Sequence, residues 1–237
     1  MTELRSMSGL VLGAPAAATY DDLHADFVRY TPSDIAALLQ GVATQMRSGA
    51  YPAARPYRHV NGFTKIVVAE HPSARLTLHY WPADPGGPDD ESRPHDHRFA
   101  FTSLLLGGDQ HFREFEETDN RADEQWARYA YRPFLAGRLA TVERRGTVGL
   151  KCVNVARRAA MEGHYTVSST TVHQAITGRR RACATLVLRG RRERRTSHVY
   201  YRPTDPVPHG GLQFGRYLSR RDVVRQVEHA ASFVAGI

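Results

Sequence analysis

The sequence predicts an all-β fold made of antiparallel strands, with helices at the two ends of the chain. Roughly ten short segments rich in β-branched and aromatic residues follow one another between residues 63 and 201. Turn-forming residues separate these segments, and no helical pattern alternates with them, which argues against a parallel βαβ arrangement. A closed or sandwiched antiparallel sheet is the arrangement that this pattern favours.

Two helices are predicted before the first strand. Thr19 begins a short helical segment that covers Tyr20 to Arg29. Thr31 has the features of an N-cap, because a proline stands at the first helical position and an acidic residue in the first turn. Apolar residues then recur at intervals of three and four as far as Met46, so we expect the second helix to end near Ser48.

The strands and the last helix follow from the same kind of pattern. The predicted strands are Phe63–Val68, Arg75–Trp81, Phe99–Leu106, His111–Glu116, Trp126–Tyr131, Arg138–Glu143, Val148–Val155, Gly163–Val167, Ala182–Arg189 and Ser197–Tyr201. Ser219 is the predicted cap of a helix over Arg220–Val234, with valines on one side. We therefore expect a helical extension over residues 1–59, a β-barrel over 60–205 and a helical segment over 206–237.

Composition limits the class of protein. No run of 18 apolar residues is present, so no transmembrane helix and no membrane partner are expected. Cys152 and Cys183 are the two cysteines and both fall in predicted strands. Two cysteines do not form a disulfide scaffold, which favours a cytoplasmic protein.

The net charge of +8 comes mainly from arginine, since only Lys65 and Lys151 are lysines. Much of the excess lies in two short runs, Arg179–Arg181 and Arg189–Arg195, which together hold eight arginines. A basic chain can bind nucleic acid. We interpret these runs instead as solvated loop and hairpin ends, and expect no nucleic-acid partner.

The run Pro94-His95-Asp96-His97, just before a predicted strand, is the strongest functional signal. Residues i and i+2 of a strand point to the same side, so His95 and His97 would aim two imidazoles at one point while Asp96 points away. His173, just before another apolar strand, could supply a third imidazole. Imidazole suits Fe, Zn, Ni and Cu. The alternative is a chance spacing in a chain that has 12 histidines.

This pattern resembles the cupin superfamily, whose first motif is His-x-His followed by an acid and a glycine. Gly107-Gly108 matches the glycine turn, whereas Phe101 and Thr102 stand where the acid is expected. Ser169–Val172 replaces the Pro-x-Gly turn that usually precedes the later histidine. The remaining pattern resembles the three-histidine cupins, such as the thiol dioxygenases. Uncharacterised bacterial and phage cupins are similar over Asn61–Lys65, Arg75–Trp81, Phe101–Gly108 and Thr185–Gly190.

The resemblance implies a cupin-like double-stranded β-helix, or jelly roll, that binds a metal through His95, His97 and His173. Fe(II) is the ion it favours, with Zn, Mn and Ni as alternatives. The implied reactants are O₂ and a small polar metabolite, such as an amino acid or a thiol. Two other functions stay open: a non-oxidative isomerase, lyase or hydrolase with a Lewis-acid metal, and a non-catalytic binding module. A homodimer also stays open.

Four further residues are weaker candidates for the site. His111 follows the glycine turn and could be a fourth ligand or an acid/base, or an ordinary surface histidine. Arg75 and His79 share one side of a strand whose other side carries two leucines and is the natural core face. Their side could line a polar pocket and bind substrate. Lys65, in mid-strand, could hold an anionic substrate, although a position on the outer, solvated face is the ordinary expectation for lysine.

Overall fold

Among the residues that it describes, a computed structural model shows three helices at the ends of the chain. It describes residues 17–50, 55–59, 62–85, 90–134, 139–208, 211–212 and 216–236. The helices are α1 (Tyr20–Phe27), α2 (Pro32–Arg47) and α3 (Arg220–Ser232). The hydroxyl groups of Thr19, Thr31 and Ser219 each accept a hydrogen bond from the backbone N–H three residues on. The three predicted helix starts are therefore confirmed.

The described strands form two curled antiparallel sheets. They are β1 (Tyr57–Arg58), β2 (Thr64–Glu70), β3 (Arg75–Trp81), β4 (Asp90–Glu91), β5 (Phe101–Gly107), β6 (Gln110–Thr118), β7 (Glu124–Phe134), β8 (Leu139–Arg158), β9 (His164–Val167), β10 (Val172–Thr177), β11 (Cys183–Arg189), β12 (Ser197–Tyr201), β13 (Gly211–Leu212) and β14 (Arg216–Tyr217). Sheet I has the order β14-β1-β2-β3-β11-β5-β9. Sheet II has the order β12-β7-β8-β6-β10-β4, with β13 paired to β8. The predicted jelly-roll arrangement with terminal helices is confirmed.

Strand β8 differs from the prediction, which had two separate strands over its length. Gly146 has a φ of 122° and lies opposite Arg128, where the β7–β8 register shifts by one residue. Such a bulge bends a strand without ending its pairing. Gly146 therefore forms a bulge inside one long strand, where the prediction placed a break between two strands.

Both faces of sheet I are buried, against different partners. Alternate residues of its central strands, including Leu76 and Leu186, form one cluster with helix residues such as Phe27, Leu39 and Val227. On the opposite face, Val187 packs against Phe101 of β5, and also against Phe112 of sheet II. The leucine side is thus a core face, as predicted, but helices complete that core. The other side lines the space between the sheets and is called the inner face below.

The helix-covered core crosses the predicted unit boundaries. Its cluster contains Leu39 from the first segment, Leu186 from the barrel and Val227 from the last segment. Burial of each such side chain contributes roughly 1.5–3 kcal/mol of stabilisation. The division at residues 59 and 205 stays a prediction, since shared packing does not show whether any segment folds alone.

The glycine turn between β5 and β6 supports a specific stability prediction. Gly108 has a φ of 90°, and a Cβ there would lie 2.7 Å from the carbonyl oxygen of Ala182 and from the Cα of Cys183. Gly108→Ala should therefore lower the free energy of unfolding by ~2 kcal/mol or more, measured by chemical denaturation. Gly41→Ala is the control, because a Cβ at this α2 position meets nothing within 4 Å. It should stabilise the protein by ~0.5–1 kcal/mol, and equal stability of the two variants would contradict the close packing.

Candidate metal centre

An extended segment before β5 brings two histidines to β10. The N–H of His95 donates to the carbonyl of His173, and the N–H of His173 donates to the carbonyl of His95, each at 2.9 Å. His95 also bridges Val199 of β12. Residues that exchange both backbone bonds place their side chains on one face, and the rings of His95 and His173 lie 4.6 Å apart. His173 therefore lies in strand β10, which precedes β11 and is not among the strands predicted from the sequence.

The third imidazole comes from the next residue on the same side of the extended segment. His97 places its Nε2 3.2 Å from Nε2 of His173. One ring nitrogen from each of His95, His97 and His173 lies within 4.8 Å of the others, and these residues could hold a metal ion. Two nitrogens bound to one ion at ~2.1 Å lie ~3.0–3.4 Å apart for tetrahedral to octahedral angles. The separation between His97 and His173 falls in that range.

Backbone carbonyls orient two of the rings. Nδ1 of His95 lies 2.7 Å from the carbonyl oxygen of Arg93, and Nδ1 of His173 lies 3.2 Å from that of Thr171. A carbonyl only accepts, so each Nδ1–H is the donor and each Nε2 keeps its lone pair. Such outer partners commonly fix the orientation of metal-ligating histidines.

Burial keeps the three imidazoles neutral. Loss of hydration lowers the pKa of His95 below its usual value. The same cause lowers the pKa of His97 and of His173 well below 6.5, with neighbouring positive charge adding to the effect. Neutral imidazole is the form that binds metal. The donor set therefore fits a divalent ion, although imidazoles alone do not select which one.

Asp96, between the two neighbouring histidines, points away from the centre as predicted. Its side chain is 5% exposed, and its Oδ2 accepts hydrogen bonds from Arg194 Nη1 at 2.9 Å and from His198 Nδ1 at 2.8 Å. Arg194 also donates to the carbonyl of Ser169 at 2.9 Å, in the loop before β10. This network holds the segment that carries His95 and His97. Sequence reasoning missed Arg194, which it placed among solvated loop ends.

Aromatic rings surround the histidines. Phe99 stacks on His97 with ring centroids 5.4 Å apart, and Phe101 meets the same histidine edge-on at 5.0 Å. Phe112 of sheet II stacks on His173 at 4.8 Å. An apolar shell of this kind limits solvent access to a metal site and lowers the local dielectric.

The structure separates His111 from this group. His111 pairs with Ile176 of β10, three residues beyond His173. Successive strand residues alternate between faces, so His111 lies on the opposite face of sheet II. It does not join the three histidines.

The structure places Lys65 and His79 together on the inner face. They are register partners on β2 and β3, and the alternation of faces puts both on the side of Thr77, opposite Leu78. Burial lowers the pKa of Lys65 to about 8, and nearby arginines add to the shift. The expectation that Lys65 reaches solvent from the outer face is therefore wrong, because helices cover that face. The signal that could have shown this is the helix pair at the start of the chain.

Arg75 lies further along the inner face, at the end of β3. It pairs in register with Glu70 on one side and with Arg189 on the other. Its guanidinium forms an ion pair with Glu70. Arg75 is therefore on the same face as Lys65 and His79, as the sequence pattern indicates.

Comparison with known proteins finds similarity in structure only. No protein-family model matches the chain, and no curated protein matches it. A cupin domain from Bordetella pertussis Tohama I is 13% identical, with a TM-score of 0.31 over 59% of this chain and 98% of that chain. KdgF from Halomonas sp. is 12% identical, with a TM-score of 0.35 over 61% and 97%. Hydroquinone 1,2-dioxygenase PnpCD, in complex with Cd²⁺ and 4-hydroxybenzonitrile, is 12% identical, with a TM-score of 0.34 over 65% and 71%.

Structural similarity at this level does not indicate an activity. The residues of the site are the basis for any functional proposal. The topology and the histidine group define a jelly roll of two antiparallel sheets with a candidate three-histidine metal centre. None of the described helices is both long and apolar enough to cross a membrane.

Proposed function

We propose that the protein is a mononuclear non-haem iron enzyme that uses O₂ to oxidise a small polar metabolite, such as an amino acid or a thiol. The supporting observation is the convergence of three neutral imidazoles. Within the described part of the chain, this ligand group contains histidine only. Three neutral ligands leave the full charge of a divalent ion uncompensated, which favours a substrate that brings a negatively charged donor.

In this proposal, some residues bind the metal and others orient the ligands or exclude water. His95, His97 and His173 would hold Fe(II), which when bound supplies open positions for O₂ and for a substrate donor. The carbonyls of Arg93 and Thr171 fix the direction of two rings. The phenyl rings beside the histidines exclude water, and electrostatic interactions are stronger in a dry site.

Metal content and nitric oxide binding test this proposal. The protein is purified without a histidine tag and without chelators, and its metal is measured by elemental analysis. Anaerobic protein loaded with Fe(II) should then bind nitric oxide, an O₂ mimic, and give an electron paramagnetic resonance signal. His97→Ala protein treated in the same way is the control, and it should give no such signal.

The other outcomes point to the two alternative functions. Stoichiometric Zn, with no nitric oxide signal after Fe(II) loading, would contradict the oxygenase proposal and support a Lewis-acid enzyme. Protein that retains no divalent ion under any loading condition would support a non-catalytic binding module.

A further inference from the structure

Basic side chains gather on the inner face of sheet I, beside the three histidines. Arg189 of β11 is the register partner of both Arg75 of β3 and Phe101 of β5. The ring of Phe101 lies 5.0 Å from that of His97, so this face of the sheet leads directly to the metal centre. Lys65 is on the same face of β2, opposite His79, which lies four residues beyond Arg75 on β3.

A stack of three side chains connects Arg189 to the metal centre. The guanidinium carbon of Arg189 lies 4.7 Å above the ring centroid of Phe99. Phe99 in turn stacks on His97. One phenyl ring therefore separates the guanidinium from a metal-ligating imidazole. Stacking holds the guanidinium plane, and Nη1 donates to the carbonyl of Gly190 at 3.3 Å. The other N–H groups at the edge of the guanidinium can meet an oxyanion.

Arg75 is paired with Glu70, whereas Lys65 and Arg189 have no acidic partner among the residues that the structure describes. Arg98, the residue after His97, also has no carboxylate ion pair within the described ranges. Burial lowers the pKa of Arg189 to about 10, and the neighbouring arginines add to the effect. The pKa of Lys65 is lowered by the positive charges of Arg189, Arg75 and Arg98 in addition to burial. Like charges on directly opposite strand residues are destabilising, and a bound anion would remove that cost.

We infer that Lys65 and Arg189 bind the oxyanion group, a carboxylate or a phosphate, of the molecule that reaches the three-histidine centre. Binding of the anion depends only on the basic cluster. Its identity as the substrate rests on the proposed function. Arg189 offers the planar fork of donors that suits an oxyanion, and Lys65 adds a point charge from the adjacent part of the inner face.

Calorimetry on metal-free protein tests the anion site without any metal chemistry. Succinate and inorganic phosphate are titrated separately at low ionic strength into wild-type protein. At least one should bind in a one-to-one ratio, and the tighter of the two identifies the oxyanion as carboxylate or phosphate. Lys65→Met should weaken that binding at least 10-fold. Lys151→Met is the matched control, because Lys151 is the other lysine of the chain and is exposed on β8.

A second measurement covers the case in which Lys65→Met does not fold. Reductive methylation with ¹³C-formaldehyde labels the two lysines and the α-amine of wild-type protein, and nuclear magnetic resonance separates their signals. Addition of the bound anion should shift the Lys65 signal and leave the Lys151 signal unchanged. Equal binding by the two lysine variants, no binding by wild-type protein, or an unmoved Lys65 signal would overturn the inference.

The outcomes for the anion site and for the proposed iron enzyme can be told apart. Anion binding by protein that takes up no metal would support the anion site and contradict the proposed iron enzyme. Nitric oxide binding to Fe(II)-loaded protein, together with absent anion binding, would support the iron enzyme and contradict the anion site.

Discussion

His173→Ala protein should retain less than about one tenth of the metal that the wild-type protein binds. Loss of even an outer hydrogen-bond partner of a ligand typically costs ~10–100-fold in metal affinity, and this change removes a ligand. The fold should persist, since the backbone bonds between His173 and His95 do not involve the ring. Elemental analysis after dialysis gives the metal content, and circular dichroism reports the fold.

His111→Ala is the matched control for this experiment. His111 belongs to β6, the strand next to β10, but points to the opposite face from His173. The variant should keep its full metal content. Full occupancy in His173→Ala, or loss of metal in His111→Ala, would show that the ligand set is wrong.

Metal-free protein should lose stability steeply as the pH falls below about 6.5. Buried and partly buried histidines are the cause, because loss of hydration lowers the pKa of each in the folded state. The pKa of His59 falls to about 3, and that of His79 falls well below 6.5. The pKa values of the three candidate metal ligands, His95, His97 and His173, are lowered for the same reason. All five are expected to bind protons on unfolding.

Proton binding determines whether the free energy of unfolding rises or falls with pH. Below the unfolded pKa of about 6.5, the unfolded chain takes up protons that the folded chain excludes, so the free energy of unfolding decreases as the pH decreases. The loss continues down to the folded pKa, which for His59 is about 3. Each such histidine contributes up to ~1.4 kcal/mol per pH unit. Several together should place the midpoint of acid unfolding above about pH 4 for a domain of ordinary stability.

Denaturant unfolding at a series of pH values between 7 and 4.5 measures this slope. His79→Gln should reduce this slope, because one imidazole with a lowered pKa is gone. Adding a divalent ion should raise stability most near neutral pH, where the ligands are unprotonated. A free energy of unfolding that is flat between pH 7 and pH 5 would contradict the prediction.

Local patterns predicted most of the elements and part of the site, but they missed strand β10 and divided β8 into two strands. The three helix caps need only residues that are neighbours in the chain, and the alternation of strand residues puts His95 and His97 on one side. The partner of this pair was harder to place. His173 is 76 residues from His97. Its position before a later apolar strand made it a candidate, and the resemblance to three-histidine cupins supported that choice.

The sequence by itself determined the strand pattern, the helix starts and the His-x-His pair, because each depends on interactions within a few residues. Only the tertiary structure decided which face of sheet I lies between the two sheets. Leu76 and Thr77, on opposite faces, are both buried, so the alternation of residues along the strand does not show which face the helices cover. The helices cover the leucine face and so turn Lys65 and Arg189 toward the metal centre. Asp96 and Arg194 meet across 98 residues. Such pairings depend on how distant strands close around one another, which no local residue pattern specifies.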